Sequence, residues 1–307
     1  MSGGGILVIK LGALGDFVLA MGPFAAIRGH HKGARITLLT TTPFAELARR
    51  SGYFDDIWID PRAARWNLPA RMGLCRSLRA GGFDRVYDLQ TSNRSSGYYR
   101  CFKPPRPEWS GIAKNCSHPH ANSARDSMHT RDRQREQLAM AGIDTVTDAD
   151  LSWLDGNITD LAPEGSYILL VPGGSLHRPE KRWPARFYGE LGRGLAVAGH
   201  TPLLLGTAAE REVLAEIAAL CREARDLCGC TDFGQIAALA RGAAAAIGND
   251  TGPMHLIAAA GCPVTVLFSG DSDPALTAPV GRDVTILQRA DLADLPVAEV
   301  RAALTPC

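Results

Sequence analysis

Seven apolar runs recur along the chain: ILVIKL (6–11), RITLLT (35–40), RVYDL (85–89), YILLVP (167–172), TPLLLG (201–206), AAAAIGN (243–249) and PVTVLF (263–268). Runs this rich in Val, Ile and Leu, with little polar alternation, suit strands covered on both faces of a parallel sheet. Between them FVLAMGPFAAIR, FAELARRSG, RFYGELGRGLAVAG, REVLAEIAALCREA and FGQIAALARG space their apolar residues as helices do. Strand and helix alternate throughout, which predicts an α/β fold. The alternation pauses over 91–135, a stretch rich in Pro, Ser, Asn and Arg and expected to be a long irregular insertion. A helix is expected over 129–143, then a polar connector over 147–166. The length of 307 residues is about twice the ~150 of one domain. Two Rossmann-like domains, 1–158 and 159–307, are therefore expected, with a cleft between the carboxyl ends of their sheets.

Composition narrows the function classes. A hydrophobic fraction of 46% and a charged fraction of 21% are those of an ordinary globular protein. The net charge of +1, with no aromatic platform interleaved among the basic residues, argues against nucleic acid as a partner. None of the eight cysteines forms a Cys-x-x-Cys pair, so they read as reduced thiols, and Cys228-Gly-Cys230 as a turn rather than a metal pair. No stretch reaches the roughly 18 apolar residues of a membrane span, and Met1–Gly5 leads straight into a strand-like run. A cytoplasmic location is the expectation.

Three stretches carry candidate chemistry. In KLGALGD, Gly12 and Gly15 let the backbone turn from a strand into a helix, leaving Asp16 near the helix start. Spacing alone leaves open whether Asp16 caps that helix or acts as a base. The motif is too short for a dinucleotide fingerprint, and no Gly-Lys-Ser/Thr makes it a P-loop. In VPGGSLHRPEKRWP a glycine bend is followed by Arg178 and Lys181 and a helix start, which is a cradle for a diphosphate or a pair of solvated cations. In IGNDTGPMHLIAAAGCPVTVLF, a strand, Asp250-Thr251-Gly252-Pro253 and a helix carrying His255 would turn unpaired amides toward a polar ligand. His255 lies one turn into that helix, which favours a ligand contact over a packed core histidine.

Together KLGALGDF, PGGS…KRWP and GNDTGPMHLIAAAGCPVTVLF resemble glycosyltransferase family 9, the ADP-heptose:lipopolysaccharide heptosyltransferases of Gram-negative bacteria. The resemblance implies a GT-B architecture and inverting sugar transfer with no cofactor and no metal. It further implies Asp16 as catalytic base and a donor site of Ser175, Arg178, Lys181, Asp250, Thr251, Gly252 and His255, with Glu210 on the nucleotide ribose. Asp271-Ser272-Asp273 spells a metal-binding DxD but reads as a turn.

The implied partners are a nucleotide-sugar donor, ADP-heptose, and an acidic lipid-linked saccharide met transiently at the inner-membrane surface. The basic segment fits the second of these. Residues 91–137 hold nine Lys/Arg against four Asp/Glu, an excess of five that leaves the rest of the +1 chain at −4. Within it Arg94, Arg100 and Lys103 are expected to contact the acceptor, whereas Arg131–Arg135, interleaved with Asp132 and Glu136, read as a solvated helix face. Two other readings remain: a GT-B-like nucleotide-sugar epimerase, which would need further acids around the sugar, and a nucleotide-sugar binder without turnover.

Overall fold

The computed structural model describes residues 4–64, 66–174 and 182–304. The chain divides between Ala149 and Asp150, ahead of the 158/159 division expected. Residues 150–157 go with the second unit because Arg241 donates to Leu154 O at 2.9 Å and Asp155 Oδ1 at 2.8 Å, and Gln235 to Asn157 O at 3.1 Å.

The first unit holds a parallel sheet of β1 (Gly5–Ile9), β2 (Ile36–Thr40), β3 (Asp56–Ile59), β4 (Phe83–Asp88), β5 (Glu108–Gly111) and β6 (His118–Pro119), in the order β3-β2-β1-β4-β5-β6. The second holds β7 (Tyr167–Val171), β8 (Thr201–Leu204), β9 (Arg225–Asp226), β10 (Ala245–Asn249), β11 (Val264–Phe268) and β12 (Val284–Gln288), in the order β12-β11-β10-β7-β8-β9. Numbered within its own unit, each sheet is 3-2-1-4-5-6. The first strand is thus flanked by the second and the fourth, and the helices leaving it and the fourth strand go to opposite faces. The crevice this opens at the carboxyl ends is where such folds bind ligands. It lies between β1 and β4, paired in register at Ile9 and Asp88, and between β7 and β10, paired at Val171 and Gly248.

These central strands are the continuous apolar runs of the sequence. β2, β7, β10 and β11 are buried at every residue, which is why they show no alternation. The first unit packs Leu7, Ile9, Val86 and Trp109 into its core; the second packs Ile168, Leu170, Trp183 and Tyr188.

Two expectations are corrected. Residues 91–135 are not one irregular insertion, because they contain β5 and the edge strand β6, and a helix over Thr130–Ala139 closes the segment. The cysteines are not all reduced: Cys75, on the helix Leu68–Ala80, and Cys101, at the end of the turn Tyr98–Cys101, form a disulfide with their Cα atoms 5.0 Å apart. The fold joins positions 26 residues apart, which no spacing motif reveals.

Candidate active site

At the carboxyl end of β1 the chain runs through Lys10-Leu11-Gly12-Ala13 into the helix Leu14–Leu19. Gly12 has φ +124°, and a Cβ there would lie 2.6 Å from Phe44 Cε2, so no other residue fits the bend. The bend is tied down on both sides of the peptide. Leu11 N donates to Gln90 Oε1 at 2.8 Å, and Leu11 O accepts from Thr41 Oγ1 at 3.0 Å and from Arg62 at 3.2 Å. Ala13 is the helix N-cap, so the capping role weighed for Asp16 falls away. Asp16 stands half-buried in the first turn, where the helix dipole favours its charge. The next residue fixes its orientation: Phe17 is fully buried, stacked on Phe44 at 5.0 Å and edge-on to Phe24 at 5.4 Å.

Two buried charges flank this turn. Lys10 is 3% exposed and donates to Leu89 O at 3.3 Å. Burial pushes its ammonium pKa down; the Asp16 carboxylate opposes that, Arg133 adds to it, and Asp88 opposes it. Asp88, at the end of β4, is fully buried, and burial lifts its carboxyl to about 6 even though Oδ1 accepts from the amides of Gln90 at 3.2 Å and Thr91 at 2.9 Å. Lys10, Gln90 and Asp88 were not singled out from the sequence. A lysine closing ILVIK and an acid in RVYDL read locally as strand-end polarity.

The three cations expected at the acceptor separate. Arg94 is held by the buried carboxylate of Asp60, at 3.0 and 2.9 Å, and by the Tyr98 hydroxyl at 2.8 Å. Burial alone would raise the Asp60 pKa, but Arg94, Tyr98 and the Arg62 amide hold it below the usual carboxylate range. Arg94 is therefore already neutralised, by a partner 34 residues away. Arg100 and Lys103 are exposed, and Arg100 lines a cavity with Arg106 and Lys114. Of the Arg131–Arg135 face, Arg131 pairs with Asp132 and Arg135 with Asp148, as a solvated face would.

At the carboxyl end of β7 the chain continues through Pro172-Gly173-Gly174; Ser175, Arg178 and Lys181 lie outside the described residues. Glu210 braces this bend. Its Oε1 accepts from Gly174 N at 3.0 Å, while Oε2 accepts from Thr207 N at 2.8 Å and Thr207 Oγ1 at 3.0 Å. A Cβ on Gly173 would meet Glu210 Oε1 at 1.7 Å, so the glycine is what admits the carboxylate.

Asn249, at the end of β10, is wholly buried and satisfies all its hydrogen-bonding capacity. Its amide donates to Pro172 O at 2.8 Å and Gly173 O at 3.0 Å, and its Oδ1 accepts from Trp183 N at 3.0 Å and the Tyr188 hydroxyl at 3.1 Å. One side chain thus ties β10 to Pro172 and Gly173 on one side and to Trp183 and Tyr188 on the other. Asp250 follows it, and Thr251 caps the helix Gly252–Ala259 through its backbone, with Pro in the first turn. Thr251 Oγ1 is buried with no hydrogen-bond partner among the described residues. His255 is 6% exposed on the same helix.

The DSD stretch is a turn: Asp273 Oδ1 accepts from Ala275 N at 2.9 Å and caps the short helix Pro274–Thr277. Among the described residues no three His, Cys, Asp or Glu side chains gather as a metal site, and no helix is long and apolar enough to cross a membrane.

The family model described as Glycosyltransferase family 9 (heptosyltransferase) matches residues 71–301. Lipopolysaccharide heptosyltransferase 2 of Escherichia coli K12 is 34% identical over 137 residues, 43% of this chain and 39% of that protein. The Haemophilus influenzae Lipooligosaccharide heptosyltransferase 2 is 33% identical over 42% and 38%. The match thus spans about two fifths of these curated relatives. Two solved structures show the fold: E. coli ADP-heptose lps heptosyltransferase II (TM-score 0.77, 22% identity, 98% of this chain and 97% of that one) and the family 9 glycosyl transferase of Veillonella parvula (0.84, 19%, 98% and 95%). A third, E. coli heptosyltransferase WaaC with ADP, has a TM-score of 0.78 at 20% identity over 97% and 98%. The architecture is GT-B, two Rossmann-like α/β units. With the family model covering well over half of its residues, the chain belongs to glycosyltransferase family 9.

Proposed function

We propose that the chain is an inverting, metal-independent glycosyltransferase that moves heptose from ADP-heptose onto the lipopolysaccharide inner core or a related acidic glycolipid. Family membership and the heptosyltransferase names of the relatives support sugar transfer. The observation that carries the mechanism is Asp16, which the turn at Gly12 sets at the carboxyl edge of β1 and which the helix does not use as its cap. The leaving diphosphate is a weak base and departs without a proton, so one carboxylate suffices where a glycosidase needs two. Asp16 takes the proton of the acceptor hydroxyl as that oxygen bonds to the anomeric carbon. The sugar–diphosphate bond breaks on the opposite face, and the configuration inverts. In this reading Lys181, Arg178 and Ser175, with the amides at Thr251 and Gly252, offset charge on the departing diphosphate. Asp250 and His255 complete the donor site, and Glu210 keeps the bend at Gly174 in shape. The first unit takes the acceptor, at the cytoplasmic face of the inner membrane.

A thermal-shift panel of ADP-, UDP-, GDP- and dTDP-sugars tests the donor. A ligand at 100 times its Kd adds about 2.7 kcal/mol, and ADP-heptose should be the one that does. A shift with another nucleotide alone refutes the donor assignment. Transfer abolished by EDTA and restored by Mg²⁺ or Mn²⁺ refutes metal independence.

A further inference from the structure

The stretch 61–83 carries five arginines and neither Asp nor Glu, more positive charge than the +1 of the whole chain. It begins at the carboxyl end of β3, an edge strand of the first sheet, and contains the helix Leu68–Ala80. Because that helix returns the chain to the start of β4, its first turn lies at the carboxyl edge, the edge that carries Asp16. The loop ahead of it reaches the turn that sets Asp16: Arg62 donates to Leu11 O at 3.2 Å.

The helix is attached but scarcely covered. Leu78 is its one buried residue, with Leu74 and Cys75 packed partly buried against the core. Cys75 is bonded to Cys101, and Arg79 Nε donates to Cys101 O, so the helix is fixed against the turn Tyr98–Cys101. Its other side turns apolar side chains to solvent. Leu68 is 58% and Met72 64% exposed, and Trp66, just ahead of the first turn, is 85% exposed. Of the eight large apolar side chains exposed among the described residues, these three and Ile59 fall within 59–72. An apolar patch gathered at one edge and rimmed by polar groups marks an interaction surface.

The charge around this patch selects the partner. At about 3.6 residues per turn, Leu68, Met72, Arg76 and Arg79 lie within an arc about 80° wide, and the helix contains no acid to pair with the arginines. Arginine stems cover apolar surface while their heads reach for anions at the rim, and Trp favours the level of lipid headgroups. Cations spread along the whole stretch, with no acid among them to fix a register, suit a surface that is anionic everywhere.

We propose that Trp66 and the outward side of the helix Leu68–Ala80 dock the first unit on an anionic lipid surface, the apolar side chains entering the acyl boundary and the arginines meeting headgroup phosphates. The assignment rests on the reading of the acceptor as lipid-linked. A bilayer held at this edge presents a membrane-anchored sugar to Asp16 without drawing its acyl chains into water.

The full chain is floated with vesicles of phosphatidylcholine alone and of phosphatidylcholine mixed equally with phosphatidylglycerol. It should bind the mixed vesicles, release them at high salt, and bind the neutral ones far more weakly. W66A/M72A should weaken binding at least about tenfold and abolish the blue shift of tryptophan fluorescence that the mixed vesicles cause. R76Q should weaken it about fivefold, the contribution of one cation near such a surface. Val197→Ser, at an apolar residue 89% exposed on the second unit, should change nothing. All four positions are exposed, and an unaltered melting temperature shows that the fold is intact. No binding to the mixed vesicles, equal binding to both kinds, or binding that W66A/M72A and R76Q do not move overturns the docking surface. So does a dimer that W66A/M72A dissociates while vesicles go unbound, which makes a second copy of the chain the occupant. Failure of every ADP-sugar to bind overturns the transferase reading instead and leaves vesicle binding standing, so the two failures are distinguishable.

Discussion

The two carboxyl-edge crevices share a topology and differ in chemistry. Between β1 and β4 the polar groups are charged and buried: Lys10, Asp88 and, half-buried beside them, Asp16. Between β7 and β10 the organising group is a neutral amide, Asn249, with every bond made, followed by a helix start. Burial displaces the proton affinity of a carboxyl, as Asp88, lifted to about 6 against the opposing pull of Lys10, shows. The neutral amide network instead fixes backbone groups, holding Pro172 O, Gly173 O and Trp183 N in place. The strand order provides a crevice in each unit; the residue that ends the fourth strand, a buried carboxyl at Asp88 in one and a buried amide at Asn249 in the other, is where the two part.

The comparison breaks first at Asp16. D16N should retain the ADP-sugar thermal shift and lose roughly 10²–10⁴-fold in transfer rate, the usual effect of removing a positioned base. Full activity would mean that the acid serves only the helix dipole. Asn249→Leu should act on stability rather than rate. It strands Trp183 N, the Tyr188 hydroxyl and two carbonyls, each costing about 1–3 kcal/mol when buried unpaired, for a total of at least about 4 kcal/mol. A melting temperature lowered by roughly 10 °C is expected, and a change under about 2 °C would deny Asn249 its bracing role.

Asp88→Asn sharpens the contrast from the other side. The folded pKa of about 6 exceeds the ordinary 3.8, so the folded state keeps the proton longer than the unfolded chain does. The associated stability is fully present below about pH 4, is lost as pH rises through about 6, and stays lost above it. Asparagine retains an oxygen for the Gln90 and Thr91 amides and carries no charge. Urea melts at pH 4 and pH 7 should show the variant gaining about 1–2 kcal/mol on the wild type at the higher pH, with Lys10 taking back part of the gain. An equal difference at both pH values would place the Asp88 titration elsewhere.

How far the sequence foretold this depends on how local the cause is. β1, β2, β7, β8, β10 and β11 were legible because burial on both faces leaves a nearly unbroken apolar run, and β4 through its buried half around Val86 and Tyr87. β12 was not, because its residues are only partly buried; β5, β6 and β9 are two to four residues long and exist through pairing with a neighbour. Asp16 was legible from the glycine turn that presents it. Its surroundings were not, since Lys10 acquires its burial and Asp88 its lifted pKa only when strands 79 residues apart are paired. Arg94 read as available for the same reason: the acid that occupies it is distant in the chain. Arg106 and Lys114 stood in the same basic segment as Arg100, but only the fold shows that these three face one hollow.

The smallest effect falls on Thr251. Its hydroxyl is buried with no partner among the described residues, beside an asparagine that wastes no bond. A buried hydroxyl left unpaired costs about 1–3 kcal/mol, so Thr251→Val, nearly equal in volume, should leave the melting temperature unchanged or raise it slightly. If the hydroxyl instead awaits a donor phosphate or sugar oxygen, the same substitution weakens the ADP-sugar by about three- to tenfold, one neutral hydrogen bond's worth. Stability and affinity then move in opposite directions, which a merely structural threonine cannot produce. A donor Kd indifferent to T251V would leave the β7/β10 crevice recognising its ligand through amides and cations alone. The side chain of Thr251 would then be a residue of the helix start and nothing more.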